Sequence, residues 1–382
     1  MIWLNKLIFG GTKMKVNTKT WLKLALILVS GLCLYLFLRN DAFLYQQPIG
    51  KVVAVKQATP EKTTDVYNNN DETTRQTLTL EILNGKYQGQ RFRVNNTYSS
   101  SGGLDQKYHL GQQIFVNIHE HRGQKDVVIS HYKRDVYLIM LSWLVVVLLY
   151  LTMQFQGLRS LLSVILNFVL FLLVVQVDVF LNLTNFFWIF AIAALLFTAL
   201  SLALVIGLNK QFSVTFLAIF LGTTSALVIG CLVLYFTKSK GVHYEALDFA
   251  TQSPKQLFLA ATVIGLLGAV MDAATDIVST LFEMKRSQPE LTKQQLFKSG
   301  QVIGRSIMGP LVNVLLLIFF AETFAMSVLY FKTGNSIAYT FEWTMALGIV
   351  QALISGIGIV LTVPLASFLS AQFLGGKQNV GN

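Results

Sequence analysis

GLLGAVMDAATDIVSTLFE, residues 265–283, places two aspartates inside an apolar stretch long enough to cross a membrane. Small and polar residues recur in it every three or four positions, which is the spacing of one helix face. An ionised Asp near the centre of a transmembrane helix costs roughly 2.5 to 3.5 kcal/mol, so partners, water or protonation must offset the penalty. We expect this acidic stripe to line a polar or ion-handling path, with hydrogen-bonded helix contacts as the structural alternative. The stripe consists of Gly265, Gly268, Asp272, Asp276, Ser279 and Glu283.

Asp272 and Asp276 are one helical turn apart. If both point into a low-dielectric gap, they cannot both ionise at low cost, and the pair holds one proton between them. Such a pair can exchange a proton for a cation, which is the physical basis of a proton- or cation-coupled carrier. We expect Ser279, Arg305 and Asn313 to belong to the same path.

The next apolar run contains a helix-breaking dipeptide, Gly309-Pro310. Proline removes a backbone donor, so we expect a loosened or kinked helix with a carbonyl free for a polar site. A close helix crossing is the alternative, with Gly265 and Gly268 as further packing positions. Glu322 is a weaker site candidate in the same run. Small-residue segments at 222–226 and 348–358 suit tight helix packing, although a polar role for the first stays open.

The composition is that of a membrane protein. Of the 382 residues, 53% are hydrophobic and 13% are charged, whereas apolar residues make up about 45–50% of soluble domains. The formal charge of +11 comes from basic residues at the N-terminus, in loops and in one polar segment, so membrane topology explains it better than nucleic-acid binding. Cys33 and Cys231 lie far apart in apolar runs and indicate neither a disulfide nor a thiolate metal site.

Between residues 45 and 134 the pattern changes to the two-residue period of strands. A hairpin is predicted at Asn84-Gly85, and about five short strands indicate a small OB-like β-domain with loops at 67–73 and 95–103. His119 and His121 flank Glu120 near a turn, which is more typical of a solvated turn than of a metal site. The predicted strands are 51–57, 77–83, 86–94, 113–118 and 126–132.

About eight apolar runs are long enough to span a bilayer. Lysines without acids precede the first run, and the segment between residues 283 and 305 is also basic, so we place both termini in the cytoplasm and the β-domain outside. Lys238, Lys240 and Lys255 then lie outside, against this rule. The predicted parts are a basic cytoplasmic tail (1–23), a transmembrane anchor (24–44), an extracytoplasmic β-domain (45–134), a seven-helix membrane domain (135–374) and a cytoplasmic tail (375–382).

The chain contains no Walker lysine loop, HExxH, GxSxG or nucleotide fingerprint. The absence of these motifs does not by itself exclude an enzyme, but we expect no enzymatic activity, no cofactor, no metal site and no nucleic-acid partner. ATP-driven transport within this chain is excluded.

Two segments, GAVMDAATDIVSTLFE at 268–283 and SGQVIGRSIMGPLVN at 299–313, resemble the YibE/F family of bacterial multispan membrane proteins. Ser306, Pro310 and Asp276 depart from the family pattern. The resemblance implies a permease-type protein of the bacterial plasma membrane with a small outer β-domain, and a paralogous YibE/F-like partner. Residues that match the pattern are Gly268, Met271, Asp272, Ala273, Gly304, Arg305, Met308, Gly309 and Asn313.

Three functional hypotheses follow. The first is a secondary carrier for an unknown small solute or ion, in which Asp272 and Asp276 bind a proton or cation. The second is a membrane scaffold or sensor whose β-domain binds a partner or an envelope component. The third is an intramembrane enzyme acting on lipid, with the Asp pair as acid and base. A polar cavity reaching Asp272 favours the first or third hypothesis, and a sealed, hydrogen-bonded pair favours the second.

Overall fold

The computed structural model describes residues 18–64, 66, 70–103, 105–121, 124–181, 186–246 and 253–375. Most of the predicted basic tail and nearly all of the predicted C-terminal tail lie outside these residues. The chain forms two compact units, which divide between Thr152 and Met153.

The first unit contains helix α1 (Thr18–Arg39) and a six-stranded antiparallel sheet. The sheet order is β2-β3-β1-β5-β6, and β4 pairs with β3 outside this path. Strand β4 also contacts β6, so the sheet curls into a half-barrel. The predicted β-domain is confirmed, whereas its OB-like topology stays a prediction. The strands are β1 (Ile49–Gln57), β2 (Glu61–Thr64), β3 (Asn70–Ile82), β4 (Arg91–Ser99), β5 (Gln113–His121) and β6 (Gln124–Tyr132).

The core of the half-barrel follows from the alternation of strand side chains. In β3, Leu78, Leu80 and Ile82 are at most 1% exposed. They pack in one cluster with Val52 of β1 and Ile114 of β5. The apolar positions that predicted the strands therefore form the core.

The hairpin predicted at Asn84 is wrong in its length, because β4 begins only at Arg91. Asn84 is 5% exposed, and its side chain holds the connection between α1 and β1. The Oδ1 atom accepts a hydrogen bond from the Ile49 amide at 2.7 Å, and Nδ2 donates to the Tyr45 carbonyl at 2.8 Å. The loop predicted at 95–103 is also partly wrong, since β4 continues through its first half.

Helix α2 (Asp135–Leu181) has a non-helical backbone at Gln154, with φ 53° and ψ −134°. This break follows directly on the first of the two spans, 136–153 and 159–177, predicted there. Seven helices of the described chain are long and apolar enough to cross a membrane, by length and composition. The predicted number of eight spans stays a prediction. The remaining helices are α3 (Phe186–Val205), α4 (Lys210–Phe236), α5 (Pro254–Ser287), α6 (Lys293–Lys332) and α7 (Ile337–Leu374).

Glycines allow α4, α5 and α7 to pack closely in the second unit. A Cβ added at Gly222 of α4 would overlap the Thr362 side chain of α7. One added at Gly358 of α7 would overlap Leu266 of α5. Both predicted small-residue segments therefore contain packing positions.

Helix α6 continues through Pro310, and the predicted loosening or kink at Gly309-Pro310 stays a prediction. Pro310 has no amide hydrogen to donate to the carbonyl of Ser306. Tight packing of Gly304 against Val363 of α7 supports the helix close to this position. Membrane helices tolerate proline where neighbouring helices support the freed backbone.

Candidate functional site

The acidic stripe lies on the face of α5 that points away from the protein core. On the opposite face, Leu266, Val270, Ile277 and Leu281 are fully buried. The prediction that the stripe occupies one helix face is confirmed, but that face is directed outward rather than into the bundle. Exposed stripe residues are Gly265, Gly268, Asp272, Asp276 and Glu283, and Ser279 is half-buried.

The two aspartates have no partner within the described part of the chain: neither carboxylate forms a hydrogen bond or an ion pair there. Ser279 differs from them, because its hydroxyl accepts a hydrogen bond from Gln211 Nε2 of α4 at 2.9 Å. Glu283 lies 3.9 Å from Arg286 at the exposed end of the helix. Among the described residues, the two aspartates are therefore not the sealed, hydrogen-bonded pair that the scaffold hypothesis requires.

Helices α5 and α6 are neighbours in contact, and their register brings two polar segments to the same depth. A Cβ added at Gly300 of α6 would lie 3.0 Å from Leu281 of α5. Ala273 and Met308 belong to one packed cluster farther along the pair. Counting in opposite directions from the contact of Gly300 with Leu281 gives the register, and the shared cluster of Ala273 and Met308 agrees with it. It places Asp276 level with Arg305, Asp272 level with Gly309, and Gly268 level with Asn313.

Arg305, Gly309 and Asn313 are exposed and four residues apart, so they share one face of α6. Gly304 of α6 and Leu266 of α5 both pack against α7. We call the exposed positions at matching depth on the two helices the outer polar surface. It comprises Asp272, Asp276, Arg305, Gly309 and Asn313.

Gly309 in this surface and Gly268 beside it are open on their outer side. A Cβ added at Gly268 or Gly309 would meet no described atom within 4 Å. Neither marks a helix crossing among the described residues. At Gly265, by contrast, an added Cβ would lie 2.8 Å from Gln351 Nε2 of α7.

The outer polar surface offers oxygen ligands and one guanidinium at matching depth. Carboxylate and amide oxygens bind hard cations, and a carboxylate pair also holds a proton. Within the described residues, no ion pair of 4.0 Å or less joins Arg305 to either aspartate.

Other candidate residues lie apart from this surface or have structural partners. Asn167 donates a hydrogen bond to Ser201 Oγ at 2.6 Å, which links two helices. Glu322 is exposed farther along α6. In the β-domain, Glu120 accepts a hydrogen bond from Tyr87 at 2.9 Å, and His119 is exposed. The His121 side chain lies outside the described residues.

Sequence reasoning missed a buried ionic cluster in the first unit. Lys133 is 3% exposed, and its Nζ lies 2.7 Å from Asp41 Oδ1 and 2.6 Å from Asp135 Oδ2. It also donates to the Leu38 carbonyl at 3.0 Å, while the Tyr45 hydroxyl donates to Asp135 at 2.7 Å. The available signal was the position of the two aspartates, directly beside the first two apolar runs. The cluster fastens the β-domain to α1 and the start of α2.

Two family descriptions match the chain. YibE/F-like protein matches residues 141–376, and the YibE/F family N-terminal domain matches residues 43–132. No match is found among curated proteins or solved structures. Together the two matches include the β-domain and nearly all of the apolar helices, so the chain belongs to the YibE/F family.

Proposed function

We propose that the chain is a subunit of a secondary transporter in the bacterial plasma membrane, and that Asp272 and Asp276 bind its coupling proton or cation. The carrying observation is the outward direction of two unpaired aspartates on an otherwise apolar, membrane-length helix. Arg305 and Asn313 supply further polar groups at matching depths on α6. The transported species is a small solute or an ion.

The free-energy cost of exposing two carboxylates to lipid supports a partner protein that covers them. Two ionised aspartates facing lipid cost about 5–7 kcal/mol, twice the roughly 2.5–3.5 kcal/mol of one. A second YibE/F-like membrane protein over the outer polar surface removes this contact with lipid. The open sides of Gly268 and Gly309 allow another helix to approach closely. The ion path then runs between two subunits rather than through one.

Charge places both termini in the cytoplasm and the β-domain outside. In this orientation Glu283 and the end of α5 lie near the cytoplasmic side. The β-domain docks or gates outside the membrane.

The test is proton or cation flux in liposomes that contain the purified full chain, with and without a YibE/F-like paralogue. Wild type is compared with Asp272→Asn and Asp276→Asn under an imposed pH gradient. Glu322→Gln is the matched control, because it removes another exposed carboxylate on a membrane helix outside the proposed surface.

We expect flux from wild type and the control, and its loss in either Asn variant with the protein still folded. Equal flux in all variants would show that the pair does not couple transport. If no sample shows flux with the paralogue present, the transporter proposal fails. The scaffold reading, in which the surface only holds subunits together, then replaces it.

A further inference from the structure

A long apolar groove lies between α3, α4 and α5 in the second unit. Its volume is about 550 Å³, and 13 of its 17 lining residues are aliphatic or aromatic. Floor residues Ala194, Ile219 and Val263 are at most 2% exposed, whereas Trp188 and Ile192 on the rim are 67% and 59% exposed. The groove therefore has a closed apolar floor and an open rim.

The length of the groove matches one leaflet of a bilayer. It is lined from Phe187 to Thr198 on α3 and from Phe216 to Cys231 on α4. At 1.5 Å per residue these stretches are about 16 Å and about 22 Å long. One leaflet contributes about 15 Å of hydrocarbon, half of a core of about 30 Å. A single acyl chain fits this dimension.

The surroundings of the rim identify the occupant. All three helices are apolar enough to cross a membrane, so the rim opens toward lipid chains. An empty groove of this kind forfeits dispersion contacts along its whole floor. Water does not replace them, because apolar cavities stay dry. An acyl chain from the adjacent leaflet restores the contacts.

Trp188 and Cys231 line one end of the groove, and basic residues lie at this end. Lys255, in the first turn of α5, is exposed. Lys238 and Lys240 follow the end of α4, and Glu245 is a described acid in the same connection. Lys238, Lys240 and Lys255 are the lysines whose predicted position outside the membrane goes against the positive-inside rule. The positive end of the α5 dipole adds to their attraction for an anion.

We propose that the groove binds one acyl chain of an anionic phospholipid, with the headgroup phosphate against Lys255. This proposal is independent of the proposed transport function, because none of its residues belongs to the outer polar surface. A lipid at this site fills the gap between α3 and α4.

The test uses phosphatidylglycerol with a photoreactive diazirine on one acyl chain, in liposomes that contain the full chain. After irradiation, mass spectrometry locates the adducts. Ala191→Phe fills the groove from α3, and Thr224→Phe fills it from α4 if the first variant does not fold. Ala325→Phe, on an exposed face of α6, is the matched control.

We expect adducts to concentrate on the floor of the groove in wild type and in the control. Either filling variant should lower their yield about tenfold, which corresponds to 1.4 kcal/mol. Lys255→Gln should lower the preference for phosphatidylglycerol over phosphatidylcholine about fivefold, or about 1 kcal/mol for one basic residue at the surface.

An unlabelled floor would overturn the proposal, because another protein segment then covers the groove. Equal labelling of the groove and of exposed α2 positions, unchanged by filling, would also overturn it. An unchanged lipid preference in Lys255→Gln would refute the headgroup contact.

Discussion

Replacing Lys133 by Met is expected to destabilise the β-domain by about 3–5 kcal/mol, the cost of removing one partner from a buried ion pair. Lys133 and Asp41 are 3% and 2% exposed, so solvent cannot replace the lost contact. Methionine leaves Asp41 and Asp135 without their common cation. For a domain of this size, 3 kcal/mol lowers the melting temperature by at least about 12 °C, at about 4 °C per kcal/mol.

Hydrogen exchange of the full chain in detergent, read out by mass spectrometry, localises this effect. Amides of β1, β3 and β5 should exchange faster in Lys133→Met, while those of α5 should not change. Adding Asp41→Asn to Lys133→Met should recover part of the loss, because fewer buried charges remain uncompensated. Lys56→Met, at an exposed site in β1, is the control. If Lys133→Met behaves like this control, the cluster does not stabilise the domain.

Gly304→Ala is expected to lower the free energy of unfolding by about 1–3 kcal/mol, because the added methyl group overpacks against Val363. Gly309→Ala has no described neighbour within 4 Å of the added methyl group and should be neutral or stabilise α6 by up to about 1 kcal/mol. Thermal unfolding in detergent compares the two variants, and equal losses of stability would contradict the packing of Gly304 against Val363. Burial, followed by a hydrogen bond with Tyr137, raises the pKa of Tyr132 to about 12. Because this folded pKa lies above the unfolded value of about 10, the contribution of Tyr132 to stability is complete below pH about 10 and is lost as pH rises toward about 12. The stability of the β-domain should therefore fall less over this pH range in Tyr132→Phe than in wild type. An identical decline in both proteins would refute the raised pKa of Tyr132. Lys56→Cys should react with a membrane-impermeant thiol reagent in intact cells if the β-domain is outside, and reaction only after lysis would reverse the proposed topology.

Local pattern predicted much of the fold. Strand periodicity located β1, β5, β6 and the second half of β3, where the inward positions are apolar, whereas the inward Thr74 and Gln76 in the first half of β3 are polar. The break near Gln154 fell at the predicted gap between two apolar runs. The start of β4 was missed because Asn84 uses its amide for contacts with residues 45 and 49, which are distant in sequence.

Periodicity also predicted the acidic stripe as one face of α5, but not the direction of that face. A membrane helix has apolar surroundings on both faces, because one face contacts other helices and the other contacts lipid. The sequence pattern of Asp272 and Asp276 is therefore the same whether the stripe faces inward or outward. The burial of Leu266, Val270, Ile277 and Leu281 on the opposite face decides between them. The register that brings Arg305 level with Asp276 likewise depends on a tertiary contact.

In the proposed function, Asp272 and Asp276 act as one proton- or cation-binding pair within the membrane. A hydrophobic carbodiimide, which reacts with protonated carboxyl groups from the lipid phase, tests this directly when peptide mass spectrometry locates the adducts. We predict about one adduct per chain, on this pair, with labelling that decreases as pH rises and as a bound cation competes. Labelling of Glu322 with none at the pair, or labelling of the pair that does not vary with pH or cation, would contradict the account.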